Sequence, residues 1–243
     1  MAFVQRLKSY IDRKYKRIIA VMAVVVITLI ASNIFTFNYF WQWEIDHADT
    51  EYQRRRLQIE GMGTRDADIV FAGDSFIEEG FWSFWFPDTD IINVGARGTT
   101  SYHMFWRRHH ITRSHPAKVF MMLGINDLNF SDLILDIDEL EETYASLLDK
   151  LAAEAPQTKI YVHAILPTGE PWPRLFDVET LRPINEFLAE QAKKHGYTFI
   201  DLTGDFANED GYLDARYTYD GLHLNAEAYQ VWVKRIRPYV EGQ

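Results

Sequence analysis

The distribution of apolar residues divides the chain into an uncharged segment near the N-terminus and a longer region of alternating apolar runs. Short β-branched runs predict strands at Ile69–Ala72, Ile91–Val94, Val119–Leu123, Ile160–Ile165 and Phe199–Leu202. Helical periodicity predicts helices near Tyr102–Thr112, Asp138–Glu154, Val178–His195 and Asn225–Val240. Strands that alternate with helices predict an α/β fold, in which helices cover both faces of a central parallel sheet.

The last of these helices has the clearest periodicity. Tyr229, Trp232, Ile236 and Tyr239 recur at helical spacing and share one face, which we expect to pack on the sheet. Asn225 precedes the first turn and is a suitable N-cap, because its side chain can accept hydrogen bonds from the first free N–H groups.

The uncharged segment from residue 18 to residue 43 predicts a transmembrane helix. At about 1.5 Å per residue, a helix of this length spans the roughly 30 Å of a hydrocarbon core. Its second half carries rings that favour membrane interfaces, namely Phe35, Phe37, Tyr39, Phe40, Trp41 and Trp43. A buried core helix would usually show a polar face, and residues 31–35 lack a clear cleavage site for a signal peptidase. We therefore favour an uncleaved signal anchor over a buried core helix and over a cleaved signal peptide.

The charges on either side of this segment predict its orientation. Residues 1–17 hold six basic residues and one acidic residue, while the rest of the chain holds 19 basic and 34 acidic residues. By the positive-inside rule, residues 1–17 are cytoplasmic and the acidic body is exported to the periplasm or the cell surface. Residues 44–66 are then a helical or flexible stalk, and residues 67–243 are the exported domain. An acidic body also argues against binding to nucleic acid.

Two residue types limit the chemistry that is open to the protein. The chain has no cysteine, which excludes disulfides, thiolate nucleophiles and thiolate-bound zinc. His103, His109 and His110 share a helical stretch, but they lack the i, i+4 spacing and the helper carboxylates of a metal site. We therefore predict no metal ion and no cofactor.

Small polar residues follow the first three predicted strands, and the carboxyl ends of parallel strands meet at one edge of a sheet. These strands run into Gly73–Ser75, residues 93–98 and Gly124–Asp127. A serine hydroxyl needs a base to become a nucleophile, and that base needs an acid to orient it. Asp220 and His223, three residues apart before the last helix, supply such a pair. These residues predict a serine-based site at this edge of the sheet.

Four sequence blocks carry a resemblance to a known family. They read GDSF at Gly73–Phe76, NVGARGTTS at Asn93–Ser101, GIND at Gly124–Asp127 and DGLH at Asp220–His223. In this order and spacing they resemble the blocks of the SGNH (GDSL-type) hydrolases, serine esterases with a flavodoxin-like, three-layer α/β/α fold. The resemblance covers about residues 68–240, and Phe76 stands where the family often has Leu. No Gly-x-Ser-x-Gly sequence occurs, which argues against an α/β-hydrolase.

The resemblance implies a role for each of five residues. It makes Ser75 the nucleophile, His223 the general base and Asp220 the acid that orients His223. The oxyanion hole would consist of the backbone N–H groups of Ser75 and Gly98 and the side-chain amide of Asn126. The residue types suit these roles, because glycine lets a substrate approach the backbone and the Asn126 amide is a neutral donor.

With the anchor, the resemblance implies a membrane-anchored, extracytoplasmic esterase that cleaves acyl or O-acetyl esters through an acyl-serine intermediate. The expected substrate is an acylated carbohydrate, a lipid or a small ester. An O-acyltransferase component acting on cell-envelope or exported polysaccharide is an alternative, because the same residues could pass the acyl group to a sugar hydroxyl. An inactive SGNH-fold binding module is another, which the retention of all five residues argues against.

Two further expectations concern residues outside the blocks. The aromatic cluster at residues 81–86 is core packing, lid-like packing, a platform for sugar stacking or a wall for an acyl chain. Trp172 is a candidate aromatic residue at the rim of the site. Because every block lies beyond residue 64, we also expect the chain from about that residue onward to fold and to act on small esters without the anchor.

Overall fold

The structure, a computed structural model, describes residues 52–63, 65–130, 137–172 and 175–242, together with positions 5, 15, 22, 26, 28, 29, 32, 33 and 50. The chain divides into two compact units, Met1–Thr50 and Glu51–Gln243. Most of the cytoplasmic and transmembrane segments that we predicted at residues 1–17 and 18–43 therefore lie outside the described residues. Within the described part of the chain, no helix is both long enough and apolar enough to span a membrane.

A parallel sheet of five strands forms the centre of the unit Glu51–Gln243. The strands are β1 (Ile69–Gly73), β2 (Ile91–Asn93), β3 (Lys118–Met122), β4 (Lys159–His163) and β5 (Thr198–Ile200). Their order is β2-β1-β3-β4-β5, and every neighbouring pair is parallel. The direction of winding reverses beside β1, so a crevice opens at the carboxyl ends of β1 and β3. All five predicted strands are present, with ends that differ by at most two residues.

Helices flank the sheet and make the predicted three-layer α/β/α arrangement. We number them α1 (residues 52–61), α2 (Ser75–Glu78), α3 (Trp82–Trp85), α4 (Ser101–Arg107), α5 (His109–Thr112), α6 (Ile125–Phe130), α7 (Ile137–Glu154), α8 (Val178–Lys194), α9 (Thr203–Phe206) and α10 (Ala226–Glu241). A short 3-10 helix at Ala215–Tyr217 precedes α10. The helix predicted near residues 102–112 is divided into α4 and α5, with the break at Arg108.

One face of the sheet carries a row of stacked aromatic rings. Phe71, Phe120 and Tyr161 are in register on β1, β3 and β4. The ring centroids of Phe71 and Phe120 lie 5.0 Å apart, and those of Phe120 and Tyr161 lie 4.5 Å apart. Helices α3 and α10 cover this row through Trp82, whose ring stacks on Phe71 at 4.1 Å and meets Trp232 edge-on at 5.2 Å. Burial of these rings is a large part of what holds this layer on the sheet.

Helix α10 has the predicted cap and most of the predicted buried face. The Asn225 side chain accepts hydrogen bonds from the N–H groups of the first turn, at 3.0 and 3.1 Å. Tyr229, Trp232 and Ile236 are buried, whereas Tyr239 is 39% exposed. The buried Trp232 indole N–H donates to the Nε2 atom of His163 at 3.1 Å. Burial lowers the pKa of His163 to about 4, so this histidine is neutral and belongs to the core.

Helix α1 lies within the segment 44–66 that we predicted as a stalk, yet it packs into the C-terminal unit. Its Ile59 side chain is 1% exposed and belongs to the hydrophobic core, and Tyr52 is partly buried against that core. The compact unit begins at Glu51 rather than at residue 67. The packed domain is therefore longer at its N-terminus than the four sequence blocks indicate.

Candidate active site

Ser75 begins α2, at a tight turn directly after β1. The Asp74 carboxyl group caps the helix by accepting a hydrogen bond from the Phe76 N–H at 3.0 Å. A Cβ atom at Gly73 would lie 2.2 Å from the carbonyl oxygen of Met122, so only glycine lets β1 end this close to β3. The Ser75 residue is 3% exposed. The predicted nucleophile is therefore fixed by a strand-to-helix turn at the carboxyl edge of the sheet.

Asp220 and His223 lie close together on the loop before α10. The Nδ1 atom of His223 and the Oδ2 atom of Asp220 are 2.6 Å apart. The other carboxylate oxygen accepts hydrogen bonds from the N–H groups of Leu222, at 2.9 Å, and His223, at 2.8 Å. Burial raises the pKa of Asp220, but these hydrogen bonds outweigh it and hold the pKa below its usual range. Asp220 therefore stays ionised and orients the imidazole ring.

The turn between these two residues requires glycine. Gly221 has φ of 81°, in the left-handed region, and a Cβ atom there would lie 2.0 Å from the carbonyl oxygen of Gly169. The N–H of Gly169 donates to the carbonyl of Gly221 at 2.7 Å, which joins this turn to the loop after β4. The close approach of the Gly169 and Gly221 backbones therefore fixes the position of His223.

The imidazole of His223 adjoins the helix that Ser75 begins. Its ring centroid lies 6.4 Å from that of Phe76, the residue after the predicted nucleophile. The hydroxyl of Tyr229, on α10, donates to the carbonyl of Phe76 at 2.7 Å and ties the two helices together. Ser75 and His223, which are both described residues, form no hydrogen bond to each other. Such contacts are often long in free enzymes and shorten when substrate binds.

The two remaining predicted oxyanion donors are neighbours. Gly98 has φ of 74° and lies in the loop after β2, while Asn126 is in the first turn of α6, after β3. The Asn126 amide nitrogen donates to the carbonyl of Thr99, the residue after Gly98, at 3.1 Å. This bond orients the amide and uses one of its two N–H groups, so the second can face a substrate. The structure therefore brings all five predicted residues to the same edge of the sheet.

Two carboxyl groups, the buried Asp74 and the partly buried Asp127, lie beneath this edge. Burial raises the pKa of Asp74 to about 8, since only one of its oxygens has a hydrogen-bond partner among the described residues. Burial raises the pKa of Asp127 to about 6, although its carboxyl group accepts hydrogen bonds from the N–H of Ser101 at 3.0 Å and the hydroxyl of Ser101 at 2.5 Å. Both groups brace the turns that carry Ser75 and Asn126.

Sequence reasoning missed a set of side chains that hold the loop from Asn93 to Thr99. The Asn93 amide donates to the carbonyl groups of Ile77, at 2.8 Å, and Glu78, at 3.2 Å. Its carbonyl oxygen accepts from the N–H of Gly95 at 2.9 Å. The Glu78 carboxylate accepts from the N–H of Arg97 at 2.5 Å. Asn93 begins one of the four sequence blocks, and Glu78 follows soon after Ser75, but neither position indicates these hydrogen bonds.

The aromatic residues near the site are of two kinds. Trp82, within the predicted cluster, is 1% exposed and belongs to the core, whereas Phe81 and Phe84 are 77% and 74% exposed. Trp172 is partly buried, with its ring centroid 6.5 Å from that of His223 and nearly perpendicular to it. Tyr219, next to Asp220, is 89% exposed. Trp172 and Tyr219 therefore adjoin the acid and base, whereas core packing accounts for Trp82.

Known proteins are similar to this chain in sequence and in fold. The rat (Rattus norvegicus) protein platelet-activating factor acetylhydrolase IB subunit alpha2 is 24% identical over 172 residues, which cover 68% of this chain and 72% of that protein. A solved protein from Streptococcus pneumonia, provisionally named a platelet activating factor, has a TM-score of 0.72 and 22% identity, and covers 82% of this chain and 97% of its own.

A second solved structure shares this fold. The acetylxylan esterase Axe2 from Geobacillus stearothermophilus has a TM-score of 0.57 and 20% identity, and covers 72% of this chain and 93% of its own. At this identity the solved structures show a shared fold. The sequence profile of the GDSL-like lipase/acylhydrolase family matches residues 71–231, more than half of the chain. The chain therefore belongs to the GDSL-like lipase/acylhydrolase family and is a hydrolase that acts on ester bonds.

Proposed function

We propose that this protein is a membrane-anchored, extracytoplasmic serine esterase that removes short acyl groups, with Ser75 as nucleophile. The observation that carries the proposal is the 2.6 Å contact between Asp220 and His223, on a loop beside the helix that Ser75 begins. An ionised carboxylate on Nδ1 leaves Nε2 of the imidazole ring free to accept a proton from a hydroxyl group.

In the proposed acylation step, the Ser75 oxygen attacks the ester carbonyl carbon while Nε2 of His223 takes the hydroxyl proton. The resulting imidazolium is stabilised by Asp220, whose lowered pKa keeps it ionised. The C–O bond to the alcohol then breaks, and the alcohol leaves with the proton from His223. Water attacks the acyl-serine in the second step, with His223 again as the base, which releases the acid and restores Ser75.

The negative charge that develops on the carbonyl oxygen needs donors that are already in place. The proposed donors are the N–H groups of Ser75 and Gly98 and the Asn126 amide. The bond from Asn126 to Thr99 supports this role, because it holds the amide in one orientation before a substrate arrives.

A short acyl group, acetyl in the first place, is the proposed group that is transferred to Ser75. Ser75 and Asn126 are 3% and 8% exposed, so little of the surface of either residue is accessible to a bulky acyl group. The names of the rat relative and of the Geobacillus structure both refer to acetyl esters. The exposed Tyr219 and the partly buried Trp172 offer rings against which the alcohol part of a substrate could pack.

Substitution of Ser75 is the direct test. We expect Ser75→Ala to lower ester turnover by about 10⁴-fold or more, because the members of a catalytic unit fail together. Ser83→Ala is the matched control, since Ser83 is exposed on α3 and should leave turnover unchanged. A fluorophosphonate probe should label Ser75, as read by mass spectrometry of the labelled peptide. Wild-type turnover in Ser75→Ala, or labelling of Ser83, would contradict the proposal.

The acyl preference is tested with p-nitrophenyl esters of two to twelve carbons and with acetylated sugars. We expect kcat/KM to be highest for acetyl and to fall at least about tenfold by octanoyl, since each misfit methylene in a closed pocket is worth about 1–3 kcal/mol. A maximum at long chains would contradict the short-acyl proposal and leave the serine mechanism intact.

The membrane anchor and the exported location rest on the uncharged segment 18–43 and on the basic residues of segment 1–17. The described positions Met22, Val26 and Leu29 are helical, and their apolar side chains are 61%, 52% and 57% exposed. A bilayer would remove this apolar surface from water. We expect the full chain to stay with membranes after carbonate washing, and protease added to spheroplasts to digest the domain. Release by carbonate would contradict the anchor, and full protection from protease would contradict the orientation.

A further inference from the structure

Among the residues that the structure describes, no strand lies beyond β2, which is the edge strand of the sheet. Backbone carbonyl groups on such an edge need other hydrogen-bond partners. Arg55, on α1, supplies two of them. Its Nη2 atom donates to the carbonyl of Asn93 at 3.1 Å, and its Nε atom donates to the carbonyl of Gly95 at 3.0 Å. One guanidinium group therefore holds the exit of β2, where the loop that carries Gly98 begins.

The same guanidinium group is coupled to the residues that follow Ser75. Its Nε atom lies 3.7 Å from the carboxylate of Glu78, the last residue of α2. That carboxylate accepts the hydrogen bond from the N–H of Arg97, which immediately precedes Gly98. The Arg55 and Glu78 side chains are only 23% and 26% exposed, so solvent weakens their attraction less than at an open surface. A continuous series of contacts therefore runs from α1 to the residue before Gly98.

A second guanidinium group holds the same loop from inside. The buried Arg107, on α4, donates to the carbonyl of Val94 at 3.3 Å and to the hydroxyl of Thr99 at 3.2 Å. Tyr52, on α1, covers it, with the guanidinium carbon 5.7 Å from the ring centroid. Ile59 fixes the other end of α1 in the core. Helix α1 thus contacts the loop directly through Arg55 and indirectly through Arg107.

We infer that α1 is a working part of the hydrolase site and that Arg55 is a positioning residue for the loop from Asn93 to Thr99. Arg55 keeps the Gly98 N–H aimed at the developing oxyanion; the inference rests on the oxyanion role proposed above for Gly98. Gly98 has a left-handed φ of 74°, and apart from its chain neighbours no described atom lies within 4 Å of where a Cβ would be. Its backbone has a hydrogen bond with the side chain of His103, on α4. Its position depends on what holds the loop on either side.

The test is Arg55→Ala in the full chain, with Arg54→Ala as the matched control. Arg54 carries the same charge on the same helix but is exposed. We expect Arg55→Ala to lower kcat by about 10- to 100-fold, since a displacement of about 1 Å in a catalytic group has effects of this size. KM should stay within about twofold of the wild-type value, because Arg55 would not touch the substrate. Arg54→Ala should leave kcat within about twofold.

A conservative variant separates positioning from folding. Arg55→Lys keeps the charge, but its single ammonium group cannot reproduce the forked pattern of donors, so we expect a kcat at least about threefold above that of Arg55→Ala and at least about threefold below that of the wild type. Circular dichroism and thermal unfolding show whether each variant is folded. A merely structural role would lower the yield of folded protein and leave kcat per folded molecule unchanged.

The outcomes distinguish this inference from the proposed function. If Ser75→Ala is inactive while folded Arg55→Ala has the kcat of Arg54→Ala, the inference is wrong and the serine mechanism stands. If Ser75→Ala retains turnover, the proposed function fails first. Should Arg55→Ala not fold, the comparison passes to Arg55→Lys, and an unchanged kcat in that folded variant overturns the inference.

Discussion

Two loops carry the chemistry of this site, and they are held in place by different means. The loop that contains Asp220 and His223 orders its own acid and base, because the contacts of the Asp220 carboxylate are with residues no more than three positions away. The loop from Asn93 to Thr99 is held by side chains from α1, α2, α4 and α6, including Arg55, which is 40 positions from Gly95. The acid–base contact of the first loop is local, although Gly169 also joins that loop to the loop after β4. The second loop depends more fully on distant parts of the fold.

Because of this difference, substitutions should affect catalysis in two different ways. A substitution in the local loop should remove catalysis and leave the rest of the molecule unchanged. A change far from the second loop should weaken catalysis in a graded way, because several contacts share the task of holding it.

The largest effect should come from the local loop. We expect His223→Ala to lower kcat by about 10⁴-fold or more with little change in melting temperature, since no general base remains. Asp220→Asn should be milder, at about 10²- to 10⁴-fold, because the base remains but its orientation and charge support are weakened. Turnover and thermal unfolding of both variants check this. A similar large decrease in melting temperature in both variants would mean that this loop also stabilises the fold.

Removal of α1 should have the next largest effect. A chain that starts at Glu51 should retain the turnover of the full chain, whereas a chain that starts at residue 64 should melt at lower temperature and turn over about 10²-fold more slowly. Loss of the buried Ile59 side chain alone removes about 1.5–3 kcal/mol of burial. This reverses the expectation from the sequence blocks, which placed every needed residue beyond residue 64. Full activity in the chain that starts at residue 64 would show that the loop from Asn93 to Thr99 does not depend on α1.

A smaller effect should come from Asp74, whose carboxyl group lies beneath the turn that begins with Ser75. Its pKa is raised to about 8 in the fold, from about 3.9 in an unfolded chain, so between these values the folded state keeps a proton that the unfolded state has lost. The free energy of unfolding then falls as pH rises, and this contribution is lost as pH passes through about 8. Asp74→Asn should make the decline of melting temperature from pH 6 to 9 less steep.

The control for that measurement is Asp88→Asn, because Asp88 is exposed and the substitution is chemically the same. Differential scanning fluorimetry at a series of pH values gives both slopes. An unchanged slope in Asp74→Asn would mean that Asp74 is ionised in the folded protein.

The smallest effect should come from the exposed ion pair between Arg97 and Glu79. Exposed pairs contribute about 0–1 kcal/mol, and the bond from the Arg97 N–H to Glu78 does not need the Arg97 side chain. We expect Arg97→Ala to keep kcat/KM within about twofold in a standard ester assay. A loss of tenfold or more would show that surface charge, rather than the contacts of Arg55, holds this loop.

The sequence was sufficient for the parts of the fold that have a strong period or a continuous apolar run. The five strands and the buried face of α10 followed from local patterns, and Asn225 was recognisable as a cap. Helices α2, α3, α6 and α9 span six residues or fewer, which is too short for a 3.6-residue period to be visible. These short helices include the one that Ser75 begins.

The candidate site shows the same limit. Asp220 and His223 could be paired from their spacing, because their contact is local. The role inferred for Arg55 could not, because nothing near residue 55 indicates that its guanidinium group reaches the carbonyl groups of Asn93 and Gly95. Contacts between distant positions depend on the path of the backbone, which a single sequence does not display.

The position of Arg55 on the open side of β2 also bears on how the protein behaves at high concentration. An uncovered strand edge is a template on which another chain can add a strand, which leads to aggregation. The guanidinium group of Arg55 already binds the Asn93 and Gly95 carbonyl groups, and it places a positive charge where another strand would pair. Helix α1 therefore covers part of the edge of the sheet, which disfavours pairing with a strand of another chain.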